Sequence, residues 1–324
     1  MVETMLLAHV GNRGRLLTLT PDVVCLPLSI VNVYFVGEAD GGDRSWVLVD
    51  AGLGTSEHAI VRAAGHRYGP GTRPGAIVLT HGHFDHVGSV RQLAERWDVP
   101  VFAHELELPY LTGRLSYPPP DPTVGGGLMS LLAPLYPRGP IDLGDRVHPL
   151  PGDGSVPGMP GWRWLHTPGH SPGHVSLFRD EDRALIAGDA FVTVRQESAW
   201  AVLTQRQEVW RPPAYYTLDW QAARRSVEEL TQLHPNAAGT GHGQPMFGER
   251  LRSGLEALAL YFDRVAVPTH GRYVCHPMVT DERGLVGEPP LAADRQWLAL
   301  ASLGMGVVIG TLLVRRSKRV PHSS

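Results

Sequence analysis

The stretch Ala76-Ile77-Val78-Leu79-Thr80-His81-Gly82-His83-Phe84-Asp85-His86 joins a short apolar run to four strong metal ligands. The apolar run reads as a buried strand, and the ligands crowd onto the loop that leads from it into a helix. Alternate residues of an extended loop point the same way, so His81 and His83 can grip one ion. Asp85 and His86 are then left for a second. Imidazole and carboxylate donors suit zinc and other borderline divalent cations. Sixteen histidines in the chain would bring some together by chance. The cluster is set apart from such coincidences because ligand types recur downstream in similar settings.

His170 lies in Thr167-Pro168-Gly169-His170-Ser171-Pro172-Gly173-His174, where proline and glycine fix a tight loop around the imidazole. Asp189 follows the apolar run Ala184-Leu185-Ile186-Ala187 and Gly188. An unpaired carboxylate just past a buried strand is costly, and the preceding glycine lets backbone approach an ion. His242 sits in Gly239-Thr240-Gly241-His242-Gly243, again between glycines. Together with Val47-Leu48-Val49-Asp50-Ala51-Gly52, these motifs make the chain resemble the metallo-β-lactamase-fold metallohydrolases from about Val23 to about Gly248. Its ligand pattern is that of the glyoxalase II and lactonase branch.

The resemblance implies that His81, His83 and His170 hold one ion, that Asp85, His86 and His242 hold the other, and that Asp189 bridges them. It implies that Asp50 supports the metal loop without binding metal. Two Zn2+ are the expected ions, with Fe or Mn as alternatives. The expected chemistry is attack by a metal-bound hydroxide on a small ester, lactone or thioester, with Asp85 passing the proton to the leaving group. β-Lactam-hydrolysing relatives typically lack a bridging carboxylate, so the family name is not the activity. Di-iron relatives that reduce oxygen usually carry glutamate where this chain keeps His83. An iron-dependent dioxygenase of the persulfide type and a non-enzymatic, membrane-associated binding protein are the alternative functions. His104, His166 and His174 are read as supporting or structural residues.

With 324 residues, 43% of them hydrophobic and 19% charged, the chain can bury a large core. A net charge of −3 with scattered basic residues argues against nucleic acid as a partner and for a small-molecule substrate. Cys25 and Cys275 lie far apart with no C-x-x-C partner, so they read as buried thiols. Met1 to Leu7 carries an acid and no basic region ahead of an apolar stretch, which predicts no secretory signal and a cytoplasmic catalytic domain.

Apolar runs at Ile30 to Val36, Trp46 to Val49, Ala76 to Thr80, Val99 to Ala103 and Ala184 to Ala187 predict strands. Helical spacing over Ser89 to Trp97 and Asp219 to Leu233, the latter with Ala222, Val227 and Leu230 on one side, predicts helices. The class is α/β. The resemblance supplies the arrangement, a four-layer αβ/βα sandwich with the metals at one sheet edge. Leu106 to Pro160, rich in proline and glycine, reads as a long loop, either a lid or pocket wall or an insertion packing on the outside of the domain. Trp200, Trp210, Tyr215 and Tyr216 are candidates for lining the cleft.

The expected catalytic domain covers residues 1–286, followed by a linker at 287–296 around Pro289-Pro290. Trp297 to Val314 has no charged residue and precedes a basic tail at 315–324. It reads as a membrane-associated helix, at about 27 Å slightly short of a full span.

Overall fold

The structure, a computed structural model, describes residues 15–125, 127–281 and 284–287. Among these, the strands that frame the site are β1 (Leu17–Thr20), β2 (Val23–Pro27), β3 (Asn32–Val36), β4 (Val47–Val49), β5 (Ala76–Val78), β6 (Val101–Ala103), β7 (Val147–Pro149), β8 (Trp162–His166), β9 (Val175–Arg179), β10 (Ala184–Ile186), β11 (Val192–Val194), β12 (Gln207–Trp210), β13 (Ala237–Gly239) and β14 (Met246–Phe247). The first seven form one sheet in sequence order. A second sheet runs β14-β13-β10-β9-β8, and β11 and β12 pair separately. The principal helices are α1 (Glu57–Tyr68), α2 (Phe84–Val87), α3 (Val90–Trp97), α4 (Trp220–Gln232) and α5 (Gly248–Leu260).

Period-two alternation assigns each strand residue to one of two buried faces, which is why these strands read as continuous apolar runs. On β3, Val33 and Phe35 join the cluster that contains Ile60, Ala64, Leu93 and Trp97 of α1 and α3. Tyr34 and Val36 point the other way, into a cluster shared with Leu177 and Ile186 of the second sheet. On β10 the alternation is reversed in sense, with Leu185 packing toward Val227 and Leu251 of α4 and α5. The result is helix, sheet, sheet, helix, the expected four-layer αβ/βα sandwich. Truncating a central residue such as Leu48, fully buried, to alanine should cost about 2–5 kcal/mol.

The chain direction explains where the site forms. Strands β4, β5 and β6 are parallel, as are β10 and β13. Their carboxyl ends release Asp50, the 81–86 loop, Asp189 and His242, and the turn between β8 and β9 adds His170. Such ends are where open α/β sheets place ligands.

Two expectations need correction. The 106–160 segment is not loop throughout: β7 lies within it and pairs in parallel with β6. Its three residues, Val147-His148-Pro149, lack the apolar signature because an edge strand tolerates proline and half-exposed polar groups. Cys25 is buried as expected, but Cys275 is exposed. Among the described residues no helix is long and apolar enough to cross a membrane. Trp297 to Val314, the linker and the basic tail lie outside the described residues.

Candidate metal centre

Asp50 organises the H-x-H-x-D-H loop. It sits at φ 62°, in left-handed backbone, which turns its carboxylate back under β5. Oδ1 accepts from the Thr80 amide at 2.8 Å, and Oδ2 accepts from the Thr80 hydroxyl and from His86 Nδ1, each at 2.8 Å. The buried carboxylate thus spends its acceptor capacity on the loop, as the resemblance implied. His83 caps α2, and the His86 amide donates to the His83 carbonyl at 2.9 Å. One helical turn therefore carries Asp85 and His86 inward.

All seven expected ligands are buried and come together. His81, His83 and His170 form one group of mutually close donor atoms, and Asp85, His86 and His242 form another. A third group, His81, His86 and Asp189, spans the two. Asp189 Oδ2 lies 3.1 Å from His242 Nε2, 3.4 Å from His170 Nε2 and 3.6 Å from His86 Nε2. His83 Nδ1 is 2.9 Å from His170 Nε2, and His242 Nε2 is 3.6 Å from Asp85 Oδ2.

The donor atoms fit cations. His81 Nε2, His86 Nε2 and Asp189 Oδ1 are buried and have no hydrogen-bond partner among the described residues. Buried polar atoms without partners are costly, and a divalent ion satisfies imidazole nitrogen and carboxylate oxygen together. The outer nitrogens are already held. His86 Nδ1 donates to Asp50, and His242 Nδ1 donates to the Ile30 carbonyl, which turns each Nε2 toward the cluster. Electrostatics divide the centre. Burial, reinforced by neighbouring imidazoles, holds His81 and His83 well below the usual histidine range. Burial also opposes charge on His86, but Asp50, Asp189 and Asp85 overcome it and raise that imidazole.

His174 is not in either group. Its Nε2 accepts from the Asp189 amide at 2.8 Å and its Nδ1 bonds Thr167 Oγ1 at 2.9 Å, a supporting role as expected. His104 stacks on His166, apart from the ligand groups. Tyr216 stacks on His83 with ring centres 4.4 Å apart, and Tyr117 lies 4.6 Å from the same imidazole. Tyr136 packs on Phe84, 5.2 Å away, so the 106–160 segment does supply a wall of the site. Tyr215 joins that wall, whereas Trp200 is on the surface and Trp210 bonds Glu197. Glu107, fully buried beside the first group, escaped sequence reading.

Comparison with known proteins agrees with this geometry. The family model for the metallo-beta-lactamase superfamily matches residues 26–242. The chain is 50% identical over 234 residues to "Probable metallo-hydrolase YflN" of Bacillus subtilis, covering 72% of this chain and 88% of that protein. It is 31% identical over 228 residues to "Probable metallo-hydrolase YybB" of the same species, covering 70% and 87%. Among solved structures, a beta-lactamase domain protein from Burkholderia ambifaria superposes with a TM-score of 0.52 at 22% identity, covering 78% of this chain and 74% of that one. That likeness speaks to the fold alone. The family match begins in β2 and ends on His242, taking in most of both sheets and every loop that carries a candidate ligand, and the chain belongs to the metallo-β-lactamase superfamily.

Proposed function

We propose that the chain is a binuclear metal-dependent hydrolase acting on a small ester, lactone or thioester, with two Zn2+ as its ions. The observation that carries this reading is the position of Asp189, whose Oδ2 is within 3.6 Å of a nitrogen from each triad. A carboxylate shared in that way supports a bridge between an ion held by His81, His83 and His170 and one held by Asp85, His86 and His242. Bound in these two seats, zinc supplies Lewis acidity that activates water near neutral pH and polarises a scissile carbonyl.

The chain's own residues do the rest. Asp85 is buried but the most exposed of the seven candidate ligands, at 6%. Burial pushes its pKa up, against the pull of His86 and His242, toward the range in which a carboxyl can both accept and return a proton. We assign it the proton taken from the attacking water and delivered to the leaving group. Tyr117 and Tyr216 flank His83, and Phe84 and Tyr136 extend an aromatic wall next to Asp85. That wall excludes water and suits an apolar acyl group.

The test is elemental analysis followed by a panel of thioester, lactone, ester, β-lactam and phosphodiester substrates. Turnover of acyl substrates that is lost on chelation and restored by Zn2+ supports the reading. A single iron with oxygen consumption on a persulfide substrate, or turnover confined to β-lactams, overturns it.

A further inference from the structure

Glu107 follows β6 in a short helical turn, Glu105–Glu107, at the start of the segment that reads as an insertion. Its carboxylate is fully buried and belongs to none of the ligand groups. Four donors converge on it. Oε2 accepts from the Gly82 amide at 3.0 Å and from the Tyr117 hydroxyl. Oε1 accepts from the Ser171 hydroxyl at 2.8 Å and from the Gly173 amide at 2.7 Å. The Gly82 amide also reaches the Tyr117 oxygen at 2.9 Å.

These partners are placed with respect to the first seat. Gly82 separates His81 from His83, Ser171 follows His170, and Gly173 precedes His174. We infer that Glu107, with Tyr117, is a positioning clamp that locks the His81/His83 loop to the His170 loop and so builds the three-histidine seat. An ionised carboxylate is acceptor-only and meets four donors without conflict, whereas an amide would turn its NH2 against two of them. The glycines fit the same role. A Cβ on Gly82 would stand 2.6 Å from the Tyr117 oxygen, and one on Gly173 would stand 2.7 Å from Glu107 Cγ. The clamp closes only because those positions lack side chains.

The inference rests on the two-seat reading above, and the test separates the two. Full-length wild type and E107Q are stripped of metal and titrated with Zn2+ against a competing chelator, and steady-state kinetics are measured on the same samples. E107Q should bind its weakened zinc about 10–100-fold less tightly, with the other equivalent nearly unchanged. Its kcat should fall while KM stays, because the fully buried Glu107 carboxylate itself touches no substrate. Adding His83→Ala to E107Q should weaken that same seat by much less than the two single effects combined. Y117F and S171A each remove one donor and keep the carboxylate, and each should lose about 3–10-fold at that seat, which carries the test should E107Q not fold.

Two zincs bound by wild type and by all three variants with equal affinity would overturn the clamp alone. Equal weakening of both seats would do the same, since it marks a general structural role. Failure of wild type to bind zinc at all would overturn the two-seat reading and the clamp with it.

Discussion

The two halves of the candidate metal centre are built differently. The half formed by His81, His83 and His170 offers nitrogen only, and burial holds His81 and His83 neutral. The half formed by Asp85, His86 and His242 mixes nitrogen with carboxylate; against the effect of burial, Asp50, Asp189 and Asp85 raise His86, and Asp189 and Asp85 raise His242. Two buried carboxylates brace the centre: Asp50 bonds His86 directly and reaches His81 only through Thr80, whereas Glu107 ties the loops of the first half. The lesson is that a paired metal site needs two separate scaffolds, and Asp189 is where they meet.

Removing that meeting point should have the largest effect. Asp189→Ala should lower kcat/KM by roughly 10³-fold or more, beyond the 10–100-fold typical of an outer partner. The folded protein should still retain at least one ion through its histidines. Full activity with two ions bound would break the comparison at its centre. Exchanging the braces sharpens it. Asp50→Asn should weaken the His86 seat by about 10–100-fold and the other, reached only through Thr80 and His81, by less, the reverse of the Glu107 variant. Loss at the same seat in both variants would show that the braces are not assigned to separate halves.

Acidity provides a third handle. Burial pushes the Glu107 carboxyl from 4.5 up to about 7 against the Ser171, Gly173 and Gly82 donors, so between those values the metal-free folded chain keeps a proton that the unfolded chain has released, and the ionised clamp is complete only above about 7. The proton's stabilising contribution is therefore complete below pH 4.5 and is lost as pH rises through about 7, a span worth about 3 kcal/mol. Denaturant unfolding of chelated wild type and E107Q across that range should show wild type losing about this much relative to the variant. Parallel profiles would mean that the four donors keep the carboxylate ionised throughout.

His174→Ala should be milder. It leaves the Asp189 amide without its acceptor, a cost of about 1–3 kcal/mol in stability, while metal content stays intact. Loss of a metal equivalent would promote His174 to a ligand. The smallest effect on chemistry should come from ending the chain after Gly287, since all seven ligands lie upstream. Activity and metal content should persist. If Trp297 to Val314 is a tether, fractionation should show the shortened form leaving the membrane. An insoluble, metal-free product would make that segment part of the domain.

The contrast between the braces also shows what a sequence can reveal. Asp50 was legible because it ends an apolar strand inside Val47-Leu48-Val49-Asp50-Ala51-Gly52. Glu107 was not, because its donors come from residues 10 to 66 positions away and its own turn resembles any capped, half-apolar helix start. The same physics separates the strands. The observed β3, β4, β5, β6 and β10 fall within the predicted apolar runs, which were legible because these strands are buried on both faces. β13, Ala237-Ala238-Gly239, is built of small residues with no β-branched signature, and β7 carries histidine and proline on an edge. The seven candidate ligands, which the fold brings together, were readable because each follows an apolar run or lies among glycines. The bracing beneath one half of them depended on tertiary contacts.

The most direct measurement is the metal-to-protein ratio of wild type, purified and dialysed, taken with its hydrolytic activity on an acyl substrate in the same sample. Two transition-metal ions per chain, with activity falling as the ratio drops toward one, is the predicted result. Full activity at one ion per chain or fewer would contradict the shared site on Asp189.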